Sequence, residues 1–194
     1  MNITVDPNSV RAYGSAAQEI FGVIRRDLEG LVNDVVNVDY KGENAVGSKT
    51  DCGTLAAGFA TALTADLRAI ADAVQASTTN ITRALGGAPI RIEFNGGSIA
   101  VPAVPQGDGT YSADPSGLEA LKGTTRARFG SINEQLDTHL SRLSSTTWTG
   151  NAKEQAVQAV TTFTNRARGK VDEATRTLTT YIDRQLEALR SADA

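Results

Sequence analysis

The residues that could carry chemistry are few in this chain of 194 residues. It contains one cysteine, Cys52, and one histidine, His139, which lie in different segments. A single cysteine cannot close an internal disulfide, and one histidine leaves no ligand set for a metal ion. The sequence offers no paired carboxylates, no nucleophile beside a base and no phosphate-binding loop, since Gly107 and Gly109 lack the lysine and following helix that such a loop needs. We therefore expect a noncatalytic protein with neither metal nor cofactor.

These residues are instead expected to serve the fold. Cys52 falls on an apolar helical stripe, which predicts a small buried hydrophobe. His139 has no partner at ligand spacing and is predicted to be a partly exposed helix residue. The basic residues Arg166, Arg168 and Lys170 are predicted to lie on the solvated face of a helix.

The net charge of the chain limits the classes of partner that it is expected to bind. Lysine and arginine total 19 against 22 aspartate and glutamate residues, giving a net charge of -3. Such a chain has no strong positive field for a phosphate backbone, so we expect no nucleic-acid partner. The first residues resemble no cleavable secretory signal, and no apolar run reaches the roughly 18 residues of a membrane span. Any export is expected to use another route.

Four long apolar stripes, with steps of three or four residues, predict four helices. Cap and breaker residues set their predicted ends: Asp6-Pro7 to about 38, a second helix ending at Gly86-Gly87, a third from Asp114-Pro115-Ser116 to about 145, and a fourth running to the end. The fold class is therefore all-α, and we expect an antiparallel four-helix bundle made of two helix-turn-helix hairpins.

The connection between the hairpins has a different pattern. Apolar and polar residues alternate from Ile90 to Phe94, and Asn95-Gly96-Gly97 follows, which predicts a β-hairpin over 90–101. The face formed by Ile90, Ile92 and Phe94 is expected to rest on the helices or to await a partner. The predicted division is a first hairpin at 1–85, a linker at 86–117 with an irregular tether, and a second hairpin at 118–194.

Both predicted hairpins turn on an aromatic residue followed two positions later by glycine. Tyr40 and Gly42 make this pair in the first hairpin, and Trp148 and Gly150 make it 108 positions later. Glycine removes the side-chain clash of a tight reversal. The indole is expected to lie across the helix ends with its nitrogen reaching solvent or a carbonyl. The repeated turn indicates an internal duplication.

Trp148, Gly150 and Ala152 fit the pattern tryptophan, any residue, glycine, any residue, alanine. In this turn the chain resembles the WXG-100 family, the ESAT-6-like (Esx-type) substrates of bacterial type VII secretion. The first copy is degenerate, because Tyr40 replaces the tryptophan, Gly42 matches, and the alanine comes one place late. Members are usually separate chains of about half this length that pair as four-helix dimers. The resemblance implies a fused dimer that is an exported protein or an export adaptor without catalysis.

The family carries a second element near the end of the last helix, a tyrosine followed four residues later by an acid. Tyr181 matches it, but Gln185 stands at the acidic position, and Asp183 and Glu187 are candidate substitutes. In the family, the turn of one hairpin lies near the C-terminal segment of its partner, and the two are recognised together. Two simpler interpretations stay open: Trp148 caps the helix ends, and Tyr181 is a core residue.

The resemblance therefore implies a noncatalytic substrate or adaptor that contacts the type VII secretion ATPase or another secretion component. An Esx-like partner or a second copy of the chain stays open, and so does contact with a membrane. The expected location is the cytoplasm before export and the medium or cell surface after it. Two alternatives also stay open: a structural or interaction bundle in a surface or phage assembly, and a membrane-active secreted effector.

Overall fold

A computed structural model of the chain describes residues 2–194. Helices make up 75% of the chain, which confirms the all-α class and the four predicted helices. The elements in chain order are α1 (Pro7–Asn37), β1 (Tyr40–Lys41), α2 (Glu43–Ala84), β2 (Ser112–Ala113), α3 (Pro115–Ser144) and α4 (Asn151–Ala192). The two short strands pair antiparallel, with Tyr40 opposite Ala113 and Lys41 opposite Ser112.

The helix ends follow the predicted signals. Asp6 accepts a hydrogen bond from the Asn8 amide at 3.0 Å in front of α1. Asp114 accepts one from the Ser116 amide at 2.9 Å in front of α3. Gly86 has a φ of +80° just beyond α2, which is the left-handed conformation that commonly ends a helix. Local sequence chemistry therefore sets where these helices begin and end.

The chain forms two compact units, and each draws on all four helices. They do not follow the sequence halves 1–85 and 118–194. Within the described residues, unit 1 comprises residues 2–24, 61–97 and 133–168, and unit 2 comprises residues 25–60, 98–132 and 169–194.

In each unit, all four helices contribute buried apolar side chains. The core of unit 1 includes Ile20, Phe21 and Ile24 of α1, Leu63 and Leu67 of α2, Leu136 and Leu143 of α3, and Val160 and Phe163 of α4. The core of unit 2 includes Leu28, Leu31 and Val35 of α1, Ala56 and Ala60 of α2, Leu118, Phe129 and Ile132 of α3, and Val171, Ile182 and Leu186 of α4. Cys52 is also buried in unit 2, as predicted, and burial raises the pKa of its thiol to about 11.

The predicted β-hairpin over 90–101 is wrong, because no strand forms between residues 87 and 111. The expected face is nevertheless correct: Ile90 and Phe94 are buried and Ile92 is half-buried. The main chain takes its hydrogen bonds from helix side chains instead of from a second strand. The Thr79 hydroxyl, for example, accepts from the Ile90 amide at 3.0 Å and donates to the Ile90 carbonyl at 3.1 Å.

His139 lies in the core of unit 1 with 1% of its surface exposed, so the predicted partial exposure is wrong. Its Nε2 lies 2.9 Å from the Tyr13 hydroxyl oxygen, and its ring meets Phe163 edge-on. The Tyr13 hydroxyl supplies the polar partner that makes burial of the imidazole tolerable. Within residues 2–194, His139 Nδ1 has no hydrogen-bond partner. Burial lowers the pKa of His139 to about 4.

We expect His139 to destabilise the fold in acid. The unfolded chain binds a proton below pH 6.5 and the folded chain only below about pH 4, so the unfolded state binds more protons between these values. The free energy of unfolding should therefore fall by about 3 kcal/mol from neutral pH to pH 4 through this group alone. Urea unfolding of the wild type and of His139→Gln, measured at both pH values, isolates the effect because the carboxylates are common to both proteins. Equal pH dependence in the two proteins would contradict the assignment.

Candidate functional site

Each unit contains one helix-reversing turn, paired with the segment that precedes another helix. In unit 2, turn 1 (residues 38–42) pairs with β2, and the Asp114 amide donates to the Asp39 carbonyl at 2.8 Å. In unit 1, turn 2 (residues 146–150) pairs with the segment before α1: Val5 bridges Trp148, and the Asp6 amide donates to the Thr147 carbonyl at 2.8 Å. Every residue in one set stands 108 positions from its counterpart in the other.

The two turn glycines have the conformation that the sequence predicts for a sharp reversal. The φ angles are +133° at Gly42 and +112° at Gly150, a region that other residues rarely adopt. The Gly42 carbonyl accepts the Val46 amide at 3.1 Å, and the Gly150 carbonyl accepts the Lys153 amide at 3.0 Å. Each glycine therefore reverses the chain and begins the next helix.

At each turn, a lysine side chain donates hydrogen bonds to main-chain carbonyls that the helix leaves free. Lys49 Nζ donates to the carbonyls of Val36 and Val38 at 2.9 and 3.0 Å. In turn 2, Lys153 Nζ donates to the carbonyls of residues 144 and 146 at 2.8 and 2.6 Å. These carbonyls stand 108 positions after those of Val36 and Val38, whereas the two lysines are 104 positions apart. Burial lowers the pKa of both lysines, while an ammonium suits the negative end of the helix dipole. No motif in the sequence had marked these lysines.

The two turn aromatics differ in their surroundings. Trp148 is fully buried, and its Nε1 has no hydrogen-bond partner among the described residues. The expectation that this nitrogen reaches solvent or a carbonyl is therefore wrong. The reason is the pairing of the segment before α1 with turn 2, which makes Trp148 part of the core of unit 1. Another protein could reach the indole only if the turn opened.

Tyr40 instead makes polar contacts to α4. Its hydroxyl donates to Gln185 Oε1 at 2.8 Å, and its oxygen lies 3.2 Å from that of Tyr181. Tyr181 in turn donates to the Asn44 carbonyl at 3.2 Å. Burial, and then the hydrogen bond with Tyr181, raise the pKa of Tyr40, so its hydroxyl stays protonated at neutral pH. We call Tyr40, Asn44, Tyr181 and Gln185 the tyrosine cluster.

The cluster gives the predicted C-terminal residues different roles. Gln185 is the acceptor for Tyr40. Asp183 accepts from Lys122 Nζ of α3 at 2.6 Å while its own side chain stays exposed. Glu187 is exposed one turn further on, and Tyr181 is half-buried. Unit 2 thus brings the first turn and the C-terminal segment together.

The other predicted site residues lie in unit 1. Gly150 completes turn 2 beside Trp148, and Ala152 is half-buried in the first turn of α4. The tryptophan motif and the C-terminal tyrosine are therefore in different units. The aromatic residue that contacts Tyr181 is Tyr40, the degenerate copy.

An open cleft of about 450 Å³ lies beside the tyrosine cluster. Tyr111 stands at its edge with 77% of its surface exposed, and its ring lies 3.0 Å from where a Cβ on Gly42 would be. A side chain at position 42 would thus press against the Tyr111 ring, which would have to shift slightly, and it would strain the turn. Gln185 and Leu189 bring α4 to the wall of the cleft.

The remaining chemical groups form structural contacts. Arg166 pairs with Asp66 at 3.1 Å and Arg168 with Asp137 at 2.6 Å, and all four side chains are well exposed. Residues 2–194 contain no group of three or more histidine, cysteine, aspartate or glutamate side chains placed to hold a metal ion. Over the same residues, no helix is both long and apolar enough to cross a membrane.

No protein-family model, curated protein or solved structure matches this chain.

The two turn aromatics should differ sharply in their contribution to stability. Trp148→Ala should lower the free energy of unfolding by about 3–5 kcal/mol, because it leaves a large cavity in a core. Tyr40→Phe keeps the ring and loses one hydrogen bond, so about 1 kcal/mol is expected. Tyr111→Ala, at an exposed ring, should change stability by no more than about 0.5 kcal/mol. Urea unfolding of the three variants checks this order, and a Trp148→Ala protein as stable as the wild type would contradict the buried role.

Proposed function

We propose that this protein is a noncatalytic substrate or adaptor of a bacterial type VII secretion system, built as two Esx-type hairpins fused in one chain. The four helices would then form an antiparallel four-helix bundle. The observation that carries the proposal is the recurrence of the same turn contacts. The strand pairing, the turn glycine and the capped carbonyls repeat 108 positions apart, and in both turns a lysine of the following helix caps those carbonyls. Two copies of one hairpin would each supply one such turn.

The segments that pair with the two turns support the fused dimer. Turn 1 belongs to the first half of the sequence and pairs with β2, directly before α3. Turn 2 belongs to the second half and pairs with the residues directly before α1. Turn 1 is therefore completed by the end of the linker that leads into the second hairpin, and turn 2 by the residues that lead into the first, as a dimer interface would require.

We infer that the recognition surface is the neighbourhood of the tyrosine cluster. In the family that the motif resembles, the turn of one hairpin and the C-terminal segment of its partner are recognised together. The contact between Tyr40 and Gln185 supplies that juxtaposition here. Trp148 supports the fold instead, because it is fully buried.

The accessible groups around this cluster suit a protein partner. Asp183 and Glu187 present carboxylates on the exposed side of α4, and they stand in for the acid that Gln185 does not provide. The cleft beside Tyr111 adds a wall of mixed character, with Leu189 and Tyr111 next to Lys41 and Glu43. We propose the secretion ATPase as the partner, recognised in the cytoplasm, with the protein then released to the medium or held at the cell surface.

The export test compares the native host with its secretion ATPase intact and inactivated. The protein in the culture supernatant is measured against a cytosolic marker. We expect extracellular protein only when the ATPase is intact. Equal amounts outside both strains, or none outside either, would contradict the proposal.

A pair of variants then tests the surface. Asp183→Ala with Glu187→Ala should lower export at least tenfold, which corresponds to about 1.4 kcal/mol of binding free energy, and leave the unfolding midpoint nearly unchanged. The matched control is Asp137→Ala with Glu173→Ala, which also removes one ion-paired and one exposed acid. Export of the control should equal that of the wild type. Equal losses in both pairs would mean that general charge matters and this surface does not.

A further inference from the structure

Residues 88–97, which we call the strap, lie on α1 and α2 within unit 1 without forming a strand. The Ile92 amide donates to Gln75 Oε1 at 2.7 Å, and the Asn95 amide donates to Gln18 Oε1 at 2.8 Å. The strap therefore satisfies its main chain with helix side chains, in the way an extended peptide is held in a groove.

The side chains that hold the strap form one stripe on α2. They share a spacing of three, four or seven residues, which puts them on a single face of the helix. The stripe consists of Thr64, Arg68, Gln75, Thr79 and Thr82, and each hydrogen-bonds to main-chain atoms between residues 88 and 97. Contacts of this kind recognise the backbone and its register, while the choice of sequence rests with the apolar side chains.

Three apolar side chains give the groove its selectivity. Ile90 is 1% exposed and Phe94 is 9% exposed, with the Phe94 ring packed edge-on against Phe21 of α1. Ile92 fills a notch over Gly14, where its Cγ2 lies 2.5 Å from the position that a Cβ would take. The alternate side chains Arg91 and Glu93 point away and are exposed. The ligand that fits is an extended segment with apolar residues at every second position.

We propose that this groove accepts the strap of a second copy of this chain in exchange for its own. The second copy is the occupant that fits, because residues 88–97 already match the groove in register, hydrogen bonding and apolar side chains. Exchange would alter which chain supplies the strap and leave the contacts unchanged, which is the general route to a swapped dimer. This site is separate from the export surface proposed above.

The connections on both sides of the strap allow the exchange. Gly86, with a φ of +80°, makes the reversal between α2 and the strap, and glycine can also adopt the extended conformation of an opened hinge. On the other side, residues 105–111 are all exposed. The ten residues 102–111 can span at most about 35 Å when extended. Exchange would also release residues 98–101, where the Ala100 amide donates to Glu29 Oε1 at 3.0 Å, but it would unfold no helix.

Two complementary variants of the full chain test the exchange. Ile90→Ser with Phe94→Ser removes the strap's apolar anchors and leaves the groove intact. Gly14→Leu fills the notch that receives Ile92, at a helix position that favours leucine, and leaves the strap intact. The matched control for the strap variant is Arg91→Ser with Glu93→Ser, which changes only exposed positions. Circular dichroism verifies the helix content of each protein, and Phe94→Ser alone replaces the double variant if that one unfolds.

The variants are mixed, opened briefly in mild urea, returned to buffer and analysed by native mass spectrometry. We expect a heterodimer in the mixture, none from either variant alone, and loss of the heterodimer when a synthetic peptide of residues 87–101 is added in excess. The control should exchange as the wild type does. Monomers only in the mixture would overturn the proposal. Dimers of either variant by itself would also overturn it, since association would then use another surface.

Discussion

The constraint on which this structure depends is that a helix reversal leaves main-chain groups without partners. At each turn, the last carbonyls of one helix face a short loop that cannot bond them all. The chain resolves this twice in the same way: a lysine from the following helix caps two carbonyls, and a segment from the opposite half of the sequence pairs with the turn. The same set of main-chain contacts therefore recurs at both turns.

The two turns differ in their aromatic residue. One aromatic residue stabilises a core, and the other lies at the candidate recognition site. Trp148 fills a core, whereas Tyr40 uses its hydroxyl to hold Gln185 near the end of α4. A buried indole stabilises a turn but offers nothing to a partner. A tyrosine that is hydrogen-bonded to α4 places turn 1 and the C-terminal segment in one surface. The copy that departs from the motif is therefore the one beside the candidate recognition site.

Local signals predicted the helices and the turns well, because Asp6, Asp114, Gly42 and Gly150 act on their immediate neighbours. The failures involve partners distant in sequence. Alternation from Ile90 to Phe94 identified which side is buried, but it could not indicate that helix side chains, not a second strand, would bind the main chain. His139 was predicted to be partly exposed, but it lies in the core of unit 1.

His139 and Trp148 were also mispredicted because their partners are distant in sequence. The burial of His139 depends on the Tyr13 hydroxyl, 126 positions away. Trp148 is covered through pairing with Val5, in the other half of the chain. No spacing in the sequence around either residue encodes such partners. The sequence duplication at Tyr40 and Trp148 nevertheless pointed to the right pair of turns, since a repeated local motif survives even when its partners are unknown.

The claim that one chain replaces a dimer can be tested most directly by cutting the connection between its halves. A protease site placed at Gln106-Gly107, in the exposed tether, allows the folded protein to be cleaved without changing a helix. We predict that the two fragments stay together as a helical one-to-one complex in gel filtration, because each turn is held by the opposite half. Fragments that separate or lose their helix content on cleavage would contradict the account.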